Sequence, residues 1–440
     1  MRRFSHWSRL PALAVTAAYV AAAVPADAQS TDQTAAAPIG QTPSPATAPS
    51  TDAPDTKRVV TYADINAGAG FSNRPFLQGR KSSIFGRLSL SAFHGWNSER
   101  GSTSITGFIE DTTYLSGGLG SKVIFRANAQ TRQAVSETVS VFGRLGVSGD
   151  VAGQLANRFT TPVDLTTPPD TIPPPETDPG IIDVAGRTYR VTGQAGASIT
   201  TSTVSAISVS AGATHTFFTG GNKRADYTTV NASGAYQRKL SERMSIGASL
   251  TVQRQDFAGS DYSNVINPAL TLQTQLGENI SANGSIGLLA IYAHRNGESS
   301  HSYSPSFSAG ICKSGENDRW CASASRTAQA PLTISSASAN FPIGTAVSTS
   351  FGLTYTRKVG EGGSLRALVN AAHSSRATLV PGGQTRATYV SALVGYDRKL
   401  SNRLYGGVTA GARKLFQAGT GSRTDLNGSF YVRYRIGDLL

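Results

Sequence analysis

Arginine recurs in this chain inside segments that otherwise carry small and hydroxyl residues: Arg87, Arg126, Arg144, Arg190, Arg366, Arg413, Arg433 and Arg435. A guanidinium offers a planar fork of donors that fits carboxylate and phosphate oxygens. If these side chains share one face of neighbouring strands, they form a ladder that attracts anions and repels cations. A plainer reading places arginines near strand ends against lipid phosphate or solvent, and it covers Arg433 and Arg435 best. The mid-strand Arg126, Arg144, Arg190 and Arg413 favour an interior, and Arg366 completes the candidate anion-binding set.

Other chemistry is sparse. The six histidines (6, 94, 215, 294, 301 and 373) are scattered and form no metal-spaced pair. No nucleophile elbow, phosphate loop or metal-binding helix motif is present, so no catalytic residue, metal or cofactor is expected. Ser116-Gly117-Gly118-Leu119-Gly120-Ser121-Lys122 lacks the spacing of a phosphate loop and reads as an external loop. Cys312 and Cys321 flank a turn and project to one polar face, where they could meet across a hairpin. In an oxidising compartment that pattern favours a disulfide over free thiols. Zinc would need two further ligands.

The elements that must position these residues are strands. Ala235-Tyr236-Gln237-Arg238-Lys239-Leu240-Ser241-Glu242-Arg243-Met244 returns as Gly395-Tyr396-Asp397-Arg398-Lys399-Leu400-Ser401-Asn402-Arg403-Leu404, an offset of 160 residues. Weaker turns at 275–279, 313–317 and 357–361 fall between, giving a period of about forty residues. A unit of two long strands, one short turn and one longer loop is the repeat of a transmembrane antiparallel β-barrel. Parity supports it. Met244, Ile246, Ala248, Leu250 and Val252 alternate with Ser245, Gly247, Ser249, Thr251 and Gln253. Val347, Phe351, Leu353 and Tyr355 alternate with Ser348, Ser350, Thr354 and Thr356. The polar face suits a wet lumen. About eighteen such strands run from 59 to 437, with sixteen as the alternative, and an even count brings both ends to the periplasmic side. Tyr236, Tyr355 and Tyr396 each stand at an outward position before a short turn, where an interfacial aromatic girdle belongs.

The ends and composition agree. Arg2, Arg3 and Arg9, the apolar run 10–24 and Ala26-Asp27-Ala28 read as a signal peptide over 1–28. Residues 29–57, rich in Pro, Ala and Thr, read as a disordered periplasmic segment. Residues 58–440 read as one all-β barrel in the bacterial outer membrane. Only 15% of residues are charged, low for a soluble protein of this length. The formal net charge is +13, of which the proposed signal contributes two. Segment 150–186 carries seven prolines and several acids and is expected to be the longest external loop. It could cap the lumen by folding against the arginines or extend outward as a disordered loop.

At the start of the barrel, Val59-Val60-Thr61-Tyr62-Ala63-Asp64-Ile65-Asn66-Ala67-Gly68-Ala69-Gly70-Phe71-Ser72-Asn73 resembles the opening strand of outer-membrane β-barrel porin families, some of which are found beside exopolysaccharide genes. An arginine-lined lumen is also similar to that of alginate-export barrels. The resemblance implies an outer-membrane channel passing anionic cargo, with an acidic exopolysaccharide as the expected cargo during secretion. It implies outer-membrane lipids and lipopolysaccharide, the barrel-assembly machinery and periplasmic export proteins as partners, and no nucleic acid. Two other readings compete: a structural barrel that scaffolds an export assembly, and an outer-membrane enzyme acting on lipid or polysaccharide. A clustered Ser/His/acid site would favour the last.

Overall fold

The computed structural model describes residues 58–77, 82–116, 119–151, 187–219, 226–257, 261–295, 297–329, 346–376, 386–417 and 421–437. The expected signal peptide and tail, and most of the acidic 150–186 segment, lie outside these residues.

Eighteen β-strands form one sheet: β1 (Arg58–Ser72), β2 (Ser83–Ser98), β3 (Gly101–Tyr114), β4 (Gly120–Ala134), β5 (Val139–Val151), β6 (Arg187–Ser202), β7 (Ser205–Thr219), β8 (Tyr227–Ser241), β9 (Met244–Phe257), β10 (Tyr262–Gln275), β11 (Ile280–Arg295), β12 (Glu298–Ser314), β13 (Asp318–Gln329), β14 (Ala346–Val359), β15 (Gly363–Arg376), β16 (Ala387–Lys399), β17 (Leu404–Gln417) and β18 (Gly421–Gly437). Each strand pairs antiparallel with the next, and β18 pairs with β1 from Tyr62↔Gly437 to Ser72↔Asn427. The barrel is closed at eighteen strands, not sixteen. Closure pairs the two terminal strands with each other, as a lipid-spanning sheet requires, because hydrocarbon offers backbone N–H and C=O groups no partner.

Alternation decides the faces. Leu88, Leu90, Ile109, Leu145, Val209, Leu250, Leu270, Ile286, Phe351, Val408 and Phe430 are all exposed, and all stand at outward positions. Their neighbours in sequence, chiefly Ser, Thr, Gly and Arg, turn inward. An exposed apolar band of this extent would drive a soluble protein to aggregate. Around a closed barrel it is the lipid-facing surface, and the chain is an outer-membrane protein. Tyr236, Tyr355 and Tyr396 point outward at the end with the short turns. At the opposite end the outward aromatics Tyr189 and Phe217 stack at 5.0 Å, and Tyr262 lies 5.3 Å from His294. Each water–lipid boundary thus carries rings.

The connections 99–100, 203–204, 242–243 and 360–362 lie at one end, with both ends of the barrel domain. In Val359–Gly363, Gly360 (φ +62°) and Gly362 (φ +88°) take left-handed backbone that other residues avoid. Cys312 and Cys321 stand opposite each other on β12 and β13 near this end and are joined by a disulfide. At the other end, the connection after β1 turns inward. Pro75–Leu77 forms a 3-10 turn, and Leu77 is buried against the inward Tyr389 and Leu415.

Candidate functional site

Parity and register place every arginine of the candidate set on the lumenal face. They fall into two walls that treat the charge differently.

The first wall runs through β15–β18 and β1–β3. Arg413 stands opposite Asp425, and its Nε (3.0 Å) and Nη2 (2.5 Å) both donate to Asp425 Oδ2. Asp425 is 0% exposed and also accepts from Ser72 Oγ (2.6 Å), the Arg74 backbone N–H (3.2 Å) and Asn427 Nδ2 (3.2 Å). That carboxylate therefore ties Arg413 to the inward turn after β1. Asn73 completes the tie: its Oδ1 accepts from the Leu426 N–H, and its own N–H donates to the Leu426 carbonyl. The Gly-x-Gly-aromatic-x-Asn element at 68–73 has a local physical reason here. Ser72 and Asn73 hold the turn, and a Cβ on Gly70 would meet the Gly428 carbonyl and the Phe85 ring.

Nearer the short turns, Arg435 forks onto Asp64, with Nε to Oδ1 at 2.8 Å and Nη2 to Oδ2 at 2.9 Å. Its guanidinium lies 4.4 Å from the Tyr62 ring centre. Asp397 is shared by Arg366 at 3.0 Å and Arg433 at 3.9 Å, and Tyr431 Oη donates to it at 3.5 Å. Arg87 pairs with Glu110 at 3.7 Å. Arg366 and Arg413, grouped with the candidate anion-binding residues by sequence, thus point inward but commit their charge to Asp397 and Asp425. A carboxylate already in contact neutralises the field a passing anion would feel. Arg433 and Arg435 are likewise lumenal and ion-paired, which corrects the reading that strand-end position would send them to lipid phosphate.

The second wall is β4–β6. Arg126 stands opposite Ser148, and Ser148 stands opposite Arg190. The two arginines share one level, two strand spacings or about 9.6 Å apart. Arg144 lies four residues below Ser148 on β5, opposite Gln130 and Gln194. Lys122 and Arg132 share the inward face of β4. Against these five basic residues the inward positions of the three strands hold one carboxylate, Asp150, whose Oδ1 accepts from the Val151 N–H. The remaining inward residues here are chiefly Ser, Thr, Asn, Gln and Gly. The three strands thus bring four more basic side chains than carboxylates to the lumenal face, a surplus of positive charge that an anion in the lumen meets.

The five described histidines all point outward. Thr61, Thr228, Ser299 and Thr388 bond to His94 (2.7 Å), His215 (2.9 Å), His294 (3.1 Å) and His373 (2.8 Å) across neighbouring strands. None enters the lumen, so no Ser/His/acid group forms there among the described residues. Among those residues, too, no group of three or more His, Cys, Asp or Glu is placed to hold a metal.

No protein-family model matches the sequence, and no curated protein sequence matches it. Solved structures similar to the barrel include OpdK of Pseudomonas aeruginosa with vanillate, at TM-score 0.44 and 11% identity over 86% of this chain and 99% of that one. OpdF of the same organism, in complex with glucuronate, matches at TM-score 0.42 and 10% identity, covering 86% and 98%. The FrpB iron transporter from Neisseria meningitidis matches at TM-score 0.39 and 7% identity, covering 86% and 81%.

Proposed function

We propose that this barrel is an outer-membrane channel for anionic solutes, with Arg126, Arg144 and Arg190 lining the path. The observation that carries the reading is the imbalance on β4–β6: five inward basic residues against Asp150 alone. An anion entering there exchanges part of its hydration for guanidinium contacts, whereas a cation meets like charge. Arg366 and Arg413 serve the same lumen differently. Their ion pairs stiffen the adjoining wall, and the pair of Arg413 with Asp425 also ties in the turn after β1.

The cargo we favour is an acidic exopolysaccharide during secretion. A uronate chain presents carboxylates at regular intervals, and Arg126, Arg190 and Arg144 offer successive points of contact along the lumen. The chain is not an enzyme in this reading, since the outward histidines leave the lumenal serines without a base. Planar-bilayer reversal potentials under a potassium chloride gradient test the reading. The wild type should be anion-selective, and oligogalacturonate added to one side should block the chloride current. A cation-selective wild type would overturn the channel assignment. Anion selectivity without block would leave the channel and remove the polysaccharide.

A further inference from the structure

One seam of the barrel is built unlike the others. β12 pairs with β11 along its whole length, from Ile280↔Lys313 to Arg295↔Glu298. With β13 it pairs only from Ser314↔Arg319 to Phe307↔Arg326. Continued, the ladder would set Pro305 against Ala328, but β13 stays with β14 instead, up to Gln329↔Ala346. Pro305 has no N–H to give a ladder.

Above that point the two edges overlap. Arg326 and Thr349 stand opposite each other on the outward face of β13 and β14, and Ala328 and Val347 follow on the same face. Ser304, Val265, Leu289 and Ile291 lie on the inward faces of β12, β10 and β11. Yet Arg326 donates to Ser304 Oγ, from Nε at 3.4 Å and from Nη2 at 3.1 Å, as well as to Thr349 Oγ1 from Nη1 at 2.9 Å. Ala328 and Val347 pack in one buried cluster with Val265, Leu289 and Ile291. Outward residues can meet inward ones only if the ends of β13 and β14 run behind β10–β12, inside the lumen. The result is an apolar layer on the lumenal side of this wall. Beside it, about 7 Å along the strand, is an arginine whose partners are hydroxyls, with no carboxylate paired to it among the described residues.

We propose that this overlap binds an anionic amphiphile and that the β12–β13 seam is its passage between the outer leaflet and the lumen. The head group takes Arg326 from Ser304 and Thr349, because a charged acceptor holds a guanidinium more strongly than a hydroxyl does. The hydrocarbon chain parts the layer and lies between Leu289 and Ile291 on one side and Ala328 and Val347 on the other. Backbone pairing between β12 and β13 ends at Phe307↔Arg326, so parting the seam above it breaks no ladder, and the Arg326–Ser304 bonds that cross it are those the head group replaces. The Cys312–Cys321 disulfide pins the half nearest the short turns, which confines the opening to the outer half.

The test uses the full-length protein in lipid nanodiscs, a diazirine-bearing decanoate and mass-spectrometric mapping of the adducts. Adducts are expected on peptides carrying Leu289–Ile291 and Ala328. Decanoate should displace them about ten-fold better than decanol, the difference a charge-assisted bond supplies. Arg326→Leu should lower labelling by a similar factor, and Arg326→Lys should restore part of it. Adducts confined to lipid-facing residues such as Leu288 and Phe307, or equal competition by decanol on the wild type, would overturn the site. For the passage, Pro305→Cys and Ala328→Cys are bridged with a reducible bifunctional thiol reagent in a Cys312→Ser, Cys321→Ser background. Bridging should abolish labelling and reduction should return it. Labelling unchanged by the bridge would overturn the passage.

Discussion

On β17 the guanidinium of Arg413 is buried against a carboxylate that also accepts two backbone-proximal donors from the turn after β1. On β5 the guanidinium of Arg144 stands between two glutamines. Both residues sit at mid-strand on a lumenal face, and sequence reading treats them alike. The difference lies in what the neighbouring strands bring to the same level. Beside Arg413, β18 brings Asp425, while beside Arg144, β4 and β6 bring Gln130 and Gln194. Removing two charges from water costs several kcal/mol per ion unless geometry repays it, and Asp425 repays it with five accepted bonds. The first wall spends its arginines on rigidity. The second carries five basic side chains against one carboxylate.

The contrast predicts unequal costs. Asp425→Ala strands Arg413 in a buried site and frees the turn, and it should destabilise the barrel by about 3–5 kcal/mol. Urea unfolding in detergent, or loss of the heat-modifiable gel shift, would register it. Arg126→Gln should cost under about 1 kcal/mol by the same measurement. Equal costs would erase the distinction between the walls.

Selectivity should split the other way. Arg126→Glu with Arg190→Glu should reverse or abolish the anion preference while leaving the fold intact, since lumenal positions tolerate charge. The exchange Arg413→Asp with Asp425→Arg should leave the reversal potential near that of the wild type. A large shift from the exchange would mean that the paired wall also governs permeation.

A smaller effect concerns salt. The preference of the β4–β6 wall should fade as ionic strength rises through about 0.1 M, where the Debye length falls to about 10 Å, close to the spacing of Arg126 and Arg190. Smallest of all is the disulfide. Cys312→Ser with Cys321→Ser removes a staple across a short turn, so conductance should be unchanged and the loss of stability at most about 3 kcal/mol. Mass spectrometry of protein from its native membrane should show the two thiols joined.

Much of the fold was legible because a barrel strand is written in local alternation. The alternating run from Met244 to Gln253 lies within β9, and that from Val347 to Thr356 lies within β14. Strand ends depend on the turns as well: β5 begins at Val139, where Ser136 Oγ accepts from the Thr138 and Val139 N–H groups and holds them in a turn. Parity also placed Arg126, Arg144 and Arg190 on the lumenal face, where the strand register puts them. It could not separate them from Arg366 and Arg413, because pairing is a property of register between strands. Asp64 and Arg435 are 371 positions apart, and nothing local announces their meeting. The broken ladder at Pro305 was equally hidden. Pro268 sits within β10, and its neighbours Asn267 and Ala269 stay in register with β9.

The pairing of β1 with β18 also bears on the order of events when the barrel forms. Every other ladder joins neighbours in sequence and can zip as a hairpin within a few tens of residues. The last ladder must bring together segments separated by nearly the whole domain, and the entropy of closing such a loop grows by about 0.6 kcal/mol per doubling of its length. Until then β1 and β18 are two open edges, the state most prone to pairing wrongly. A register displaced by one residue would turn Arg435 and Asp64 to opposite faces and leave both charges without a partner. The same slip would take Ser72 away from Asp425. The slowest step of assembly is thus also one that checks itself, since only the correct alignment quenches the charges that the closing strands carry.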